Sequence, residues 1–277
     1  MIILNTFDSQ PTQDGAGVKI SRIADFTGKY FDPYLMFDEL KSDQKSDFMG
    51  GFPAHPHRGI ETFTYMIKGS FEHQDQLGNK AMITPGNVQW MSTGYGVVHS
   101  EMPMVDEHES MHGFQIWLNM PAKDKLRPAR YQDSTRLPVL TNETGASLKL
   151  LAGHWTFDGQ TDSSPLIGLA ANGAIADITF DNNAEAELDL SEAEQVLIYV
   201  HTGAFSSPRL TSGQMAIVDA QHTISITAAE NGAGALILVG NRINEKIAHM
   251  GPFVMNTEKE LQQAITDYQL GKFGQIA

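Results

Sequence analysis

The sequence contains no cysteine. That excludes disulfides, thiolate zinc sites and cysteine nucleophiles, and it fits a reducing compartment. Any metal must then be held by nitrogen and oxygen. Positive charge is scarce as well: 19 Lys and Arg stand against 33 Asp and Glu, a formal net charge of −14. A phosphate backbone is gripped by clustered Lys and Arg that release counterions, so direct nucleic-acid binding is not expected. Long apolar runs are missing too. The longest is AGALILVG, at 233–240, far short of the ~20 residues of a membrane span. The start, MIILNTFDSQ, has a brief apolar opening and no basic flank, unlike a secretory signal. A soluble cytoplasmic protein with no membrane attachment is the expectation. The triplet Asn142-Glu143-Thr144 is then a chance match to a glycosylation acceptor.

What the chain does have is strand pattern. Its 277 residues suffice for two domains of ordinary size or one large one, and for burial of roughly three quarters of the unfolded surface. Short β-rich runs separated by Gly, Pro and Asn follow one another from Glu61 to about Asp181: ETFTYMIKG, AMITPGNVQWM, GFQIWLNMP, ASLKLLAG and GAIADITF. This spacing predicts antiparallel strands in a sandwich or barrel. The clear exception is the end. In NTEKELQQAITDYQLGKFG, Thr257 and Glu260 form a capping box and Leu261, Ile265 and Tyr268 share one face, which predicts a helix over about 258–270. Sliding the chain by 134 residues lays YMIKGSF (Tyr65 to Phe71) over YVHTGAF (Tyr199 to Phe205), and the Pro85-Gly86 turn finds a counterpart at Ser212-Gly213. The chain therefore reads as two copies of one β-barrel. The expected division is an N-terminal barrel over 1–130 and a C-terminal barrel over 131–277 that ends in the helix. The join falls in the basic, proline-bearing stretch from Pro121 to Pro138.

The chemistry sits in the first copy. His55 and His57 in HPHRGIE lie one residue apart just ahead of a strand, and residues at i and i+2 of an extended segment project to one face. His99 and Glu101 in VVHSEMP repeat the spacing. Two such pairs on neighbouring strands can converge on one point, giving three imidazoles and one carboxylate. That set suits a single first-row divalent ion, Fe, Mn, Co, Ni, Cu or Zn, with positions left for water and substrate. The 134-residue register puts Asp189, Ser191 and Gln195 where the first copy has His55, His57 and Glu61, so only the first barrel is expected to hold metal. Glu61 shares strand parity with His57 and reads either as a further ligand, as a partner of a ligand imidazole, or as a charge at a barrel mouth. Arg58, of opposite parity, reads as structural.

HESMH, His108 to His112, matches the H-E-x-x-H pattern of zinc peptidases. A helix there would have to pass Gly113 into the alternating FQIWLNMP, with Pro103 crowding the other side. A loop carrying solvated Glu107 and Glu109, with His112 opening a strand, is the preferred reading. His73, His154, His201, His222 and His249 are isolated and read as packed or surface side chains. The acidic stretch DNNAEAELDLSEAE reads as a solvated face. No P-loop, dinucleotide fingerprint or serine elbow is present.

FPAHPHRGIETFTYM, PGNVQWMSTGYGVVHSEMP, HGFQIWLNMP with PARYQ behind it, and GPFVMNTEKELQQAITDY together resemble the pirin family of two-barrel cupins. The resemblance is dense over the N-terminal barrel and in the second barrel rests mainly on the final helix. It implies an all-β bicupin with one metal, usually iron, held by His55, His57, His99 and Glu101. The wider cupin pattern would use Glu61 as a ligand, but here Glu101 stands beside His99, so Glu61 is left outside the set. Several family members resemble quercetin 2,3-dioxygenases, which open the heterocyclic ring of flavonols with O2. On that model the metal acidifies the flavonol 3-hydroxyl and Glu101 takes its proton as catalytic base. Trp90, Met91 and Phe63 are candidate pocket walls, with plain core the competing assignment. Other family members resemble metal-dependent transcriptional cofactors or modulators of metabolic enzymes, so a docking protein without turnover is the alternative, and the acidic charge suits a basic protein partner. Two barrels within one chain supply the pairing that single-barrel cupins reach by dimerising, so a monomer is expected.

Overall fold

The structure is a computed structural model that describes residues 1–104, 110–221 and 223–276. It is a two-domain cupin architecture built of antiparallel strands with a single α-helix among the described residues. Contacts group the chain into two compact units that interleave in sequence. One comprises 1–9, 30–33 and 136–242; the other comprises 10–29, 34–135 and 243–277. The expected division is 1–130 and 131–277; the compact units follow packing and place the final 35 residues (243–277) with the histidine-bearing strands.

The histidine-bearing unit has two separate sheets. The larger runs, in order, Arg130–Ser134, Val88–Ser92, Ile60–Lys68, Met111–Asn119, Tyr34–Ser42, Val18–Ala24 and Gln10–Asp14. The smaller runs Phe52–His57, Val97–Pro103, Phe71–Asp75 and Lys80–Ile83. Position in the smaller sheet explains a sequence oddity. Phe52–His57 carries Pro53 and Pro56, which cannot donate to a ladder, and it is an edge strand with one neighbour, where proline is tolerated. Gly59 ends this segment at φ +81, and a Cβ there would lie 2.1 Å from the Val254 carbonyl oxygen, so only glycine fits the turn.

The other unit is one branched sheet of 11 strands over a core that includes Leu148, Ile178, Ile198, Phe205 and Ile237. The proposed internal correspondence has a backbone signature. Gly69 and Gly203, aligned by the 134-residue shift, have φ of 70° and 65°, and the turn glycines Gly86 and Gly213 have φ of 84° and 87°.

The helix spans Glu258–Gln269. Thr257 Oγ1 accepts from the Glu260 backbone N–H at 3.3 Å, as a capping box requires, while the Glu260 carboxylate reaches back to the N–H of Asn256 rather than Thr257. Its buried positions are Leu261, Ala264 and Asp267, with Ile265 partly buried; Tyr268, expected on the buried face, is exposed at its rim. Leu261, Ala264 and Phe273 pack against Val98 and Phe253. Asp267 is the helix's polar anchor. Its Oδ2 accepts from both Nη atoms of the buried Arg58 at 3.0 Å, and its Oδ1 accepts from Lys272 at 2.8 Å and Gln263 at 2.9 Å. Arg58 lies against the rings of Tyr95 and Phe273 and donates Nε to the Tyr95 carbonyl. The residue next to His57 is thus clamped by the C-terminal helix. Lys125 adds a second clamp: its buried ammonium donates to the carbonyls of Gly59 and Val254 and to Asn119 Oδ1, and burial pulls its pKa down to about 7.

Lys272 first, then Gln263 and Arg58, hold the Asp267 carboxyl at about 2. The stabilisation is fully present above the ordinary aspartate pKa of about 3.9 and is lost as pH falls towards 2. Asp267→Asn is expected to lose about 3 kcal/mol at pH 7, since it leaves a buried guanidinium without its counter-charge. Urea unfolding at pH 7 and pH 3 checks both points: the variant should be less stable at pH 7 and should show less acid sensitivity than the parent.

Candidate metal centre

Strand pairing assembles the site. Phe52–His57 and Val97–Pro103 run antiparallel with His99 opposite His55 and Val97 opposite His57. The ladder then shifts by one, so that Glu101 faces Phe52. On its other edge Val97–Pro103 pairs with Phe71–Asp75, setting His99 opposite Asp75 and Glu101 opposite His73. The imidazoles of His55, His57 and His99 cluster with ring centroids 4.4–5.0 Å apart, and one nitrogen from each lies within 4.8 Å of the others.

The protonation pattern fits a cation. His55 Nδ1 is 2.8 Å from the Pro53 carbonyl oxygen and His57 Nδ1 is 3.1 Å from that of Pro252. A carbonyl only accepts, so both Nδ1 atoms carry the proton and both Nε2 lone pairs are free. The same bonds orient the rings, as bonds behind metal-ligating histidines do. His99 is fully buried and neither of its ring nitrogens has a hydrogen-bond partner. Burial first, then the neighbouring imidazoles, hold His57 and His99 well below the usual imidazole range. They are neutral near pH 7, the form that binds metal. An orphaned buried imidazole is costly, and a cation in this cluster satisfies it. The residues present therefore fit the metal that the fold implies.

Glu101 sits beside this trio without belonging to it. Its carboxylate groups with His99 and His73, again with ligand atoms within 4.8 Å of one another, and Oε1 accepts from Thr64 Oγ1 at 3.0 Å. The structure thus brings together His55, His57 and His99, and sets Glu101 next to His99 on the side of His73. His73 is the residue that sequence reading missed, although Asp75 at i+2 gives it the same spacing as His99 and Glu101. Its register opposite Glu101 brings it to the site.

A cleft of about 520 Å³ opens beside the cluster, bordered by His55, His57 and Glu101. Phe26, Met36, Phe52 and Trp117 form its apolar wall; Asp14, Arg22, Asp38 and Gln115 form the polar one. Trp117 meets His57 edge-on at 5.0 Å. His249, expected to be a packed or surface residue, lines the cleft stacked on Phe26 with centroids 3.7 Å apart. Arg22 donates Nε and Nη2 to the two oxygens of Asp38, each at 2.7 Å, and Nη2 also to Asp14. Trp90, Met91 and Phe63 do not border the cleft. They are buried core, and the Trp90 indole donates to Glu61.

Glu61 resolves into a structural role. It is fully buried, accepting from Trp90 Nε1 at 3.0 Å and from Arg127 Nη2 at 2.8 Å, and it is in neither ligand group. His112 likewise belongs to the strand Met111–Asn119 and pairs with Glu39 at 2.8 Å. Glu107, His108, Glu109 and His222 lie outside the described residues. His154 meets Ser163, and His201 pairs with Asp177 in the other unit.

Fold and cluster together define a two-domain cupin with a histidine-rich candidate metal centre in one unit. The chain belongs to the pirin family: the Pirin family model matches residues 17–118, and the model for the Pirin C-terminal cupin domain matches residues 175–274. A Vibrio cholerae protein named "Putative quercetin 2,3-dioxygenase" is 41% identical over 275 residues, 98% of this chain and 97% of that protein. A pirin-like protein of Caulobacter vibrioides is 36% identical across 98% of each. The crystal structure of a quercetin 2,3-dioxygenase from Acinetobacter baumannii, 28% identical, superposes with a TM-score of 0.86 over 99% of both chains. No helix among the described residues is long and apolar enough to cross a membrane.

Glu61→Ala is expected to cost about 3 kcal/mol of stability, by stranding Arg127, while metal stoichiometry stays at the parent value. Denaturant unfolding alongside elemental analysis reads both. Loss of the metal with unchanged stability would return Glu61 to the ligand set.

Proposed function

We propose that this protein is a metal-dependent dioxygenase acting on flavonol-like aromatic substrates, with His55, His57, His99 and Glu101 holding one first-row divalent ion, iron being the preferred choice. The observation that carries the reading is the meeting of three buried or half-buried imidazoles with an aromatic-walled cleft of drug-sized volume. The names of the Vibrio and Acinetobacter relatives support the same substrate class. Quercetin and O2 are accordingly the proposed reactants, in a cytoplasmic monomer.

When bound, the metal supplies Lewis acidity, which lowers the pKa of a hydroxyl placed against it. The chain does the rest. Phe26, Trp117 and Met36 exclude water and give planar rings a surface to lie on. His55 and His57, oriented through their Nδ1 bonds, fix where the substrate oxygen must sit relative to the walls. Glu101, at the border of the cleft, takes the 3-hydroxyl proton. Asp14 and Asp38, joined through Arg22, make up the polar wall of the cleft.

Purified protein is expected to bind close to one equivalent of a first-row divalent metal, with His57→Ala and Glu101→Ala each losing most of it. Retention of full metal content by both variants would remove the proposed ligand set. Protein loaded with iron, or with a series of other divalent metals, is expected to consume the flavonol absorption band of quercetin only when O2 is present. No turnover with any metal, in protein that still binds one equivalent, would favour a metal-dependent docking protein.

A further inference from the structure

A carboxylate that coordinates a cation has little basicity left for a substrate proton, so the double duty assigned to Glu101 needs a physical device. The strand ladder beside His99 contains one. His73 stands directly opposite Glu101 in the ladder between Phe71–Asp75 and Val97–Pro103. It is fully buried; neither ring nitrogen makes a close hydrogen bond, and Nε2 has a long ion-pair contact, 3.5 Å, with Oδ2 of Asp75. Its ring is stacked on Tyr131 with centroids 5.1 Å apart, which holds it in place. His73, His99 and Glu101 present ligand atoms within 4.8 Å of one another, just as His55, His57 and His99 do. His99 is common to both groups, so Glu101 lies between a position on the cation side and a position on the His73 side. The Thr64 hydroxyl tethers Oε1 at 3.0 Å.

We propose that His73 is a positioning residue that offers Glu101 a second station, and so sets whether the cation has three protein ligands or four. This rests on the assignment of Glu101 as a ligand. With Glu101 turned to His73, whose ring N–H donates to it, a coordination position is free for the substrate hydroxyl. The carboxylate is then free to receive the hydroxyl proton. With Glu101 turned to the cation, the position is closed. A buried imidazole that makes no close hydrogen bond, beside a buried carboxylate, is otherwise poorly compensated.

Cobalt(II) is the probe, because its visible absorption reports ligand number without any turnover. His73→Phe keeps the stack on Tyr131 but withdraws the second station. It is expected to tighten cobalt binding about tenfold, in the range by which groups behind metal ligands act, and to shift the cobalt spectrum towards higher coordination. His73→Gln, which can still donate, is expected to restore the parental affinity, and His73→Phe in a Glu101→Ala background is expected to change nothing. Should His73→Phe not fold, His73→Asn, too short to reach Glu101, replaces it with the same expected direction. Unchanged or weakened cobalt binding on loss of His73, in protein where Glu101→Ala does weaken binding, overturns the inference alone. Unchanged binding in Glu101→Ala overturns the ligand assignment on which it rests.

Discussion

The registration of one edge strand governs this protein. With His99 opposite His55, three imidazoles share the interior face of a four-stranded sheet. A slip of one residue would turn every side chain of Phe52–His57 to the other face and disperse the cluster. Edge strands are weakly restrained, having one neighbour, and this one also lacks two N–H donors at Pro53 and Pro56. The restraint comes from outside the ladder. Arg58 is held by Asp267 of the C-terminal helix, Gly59 by Lys125, and the His57 ring by the Pro252 carbonyl. The last residues of the chain thus brace the segment that carries His55 and His57.

This bracing explains the expenditure of buried charge far from any reacting atom. Arg58 and Lys125 are almost wholly buried, and buried cations are tolerated only when their donors are matched. Here they are: Lys125 has three acceptors for three protons, and Arg58 has a carboxylate, a carbonyl and two ring faces. The price in desolvation falls on the scaffold and leaves His57 and His99 neutral beside the cleft.

Much of this was legible in the residues. The strands ETFTYMIKG, GFQIWLNMP, ASLKLLAG and GAIADITF and the helix with its Thr257 cap followed from period and spacing, and the pirin family from the resemblance of four segments. The i, i+2 pairs also set His55 with His57, and His99 with Glu101, on one face of each strand, since strand parity is a local property. What depends on pairing between distant strands stayed hidden. His73 enters the site only through its register with Glu101, and Trp117, Phe26 and His249 enter the cleft through tertiary packing. Glu61 has the parity of a ligand, but Arg127 and Trp90 draw its carboxylate away. Tyr268 was placed on the buried helix face by period alone; the burial stripe runs instead through Ala264 and Asp267, because Arg58 needs a carboxylate there.

The most direct test of the account is an anomalous-difference map from crystals loaded with a first-row metal and measured at that metal's absorption edge. The account predicts one dominant peak about 2.1 Å from a ring nitrogen of each of His55, His57 and His99, with a Glu101 oxygen in or next to the coordination shell. A peak elsewhere in the chain, or no peak from protein that elemental analysis shows to be loaded, would contradict it.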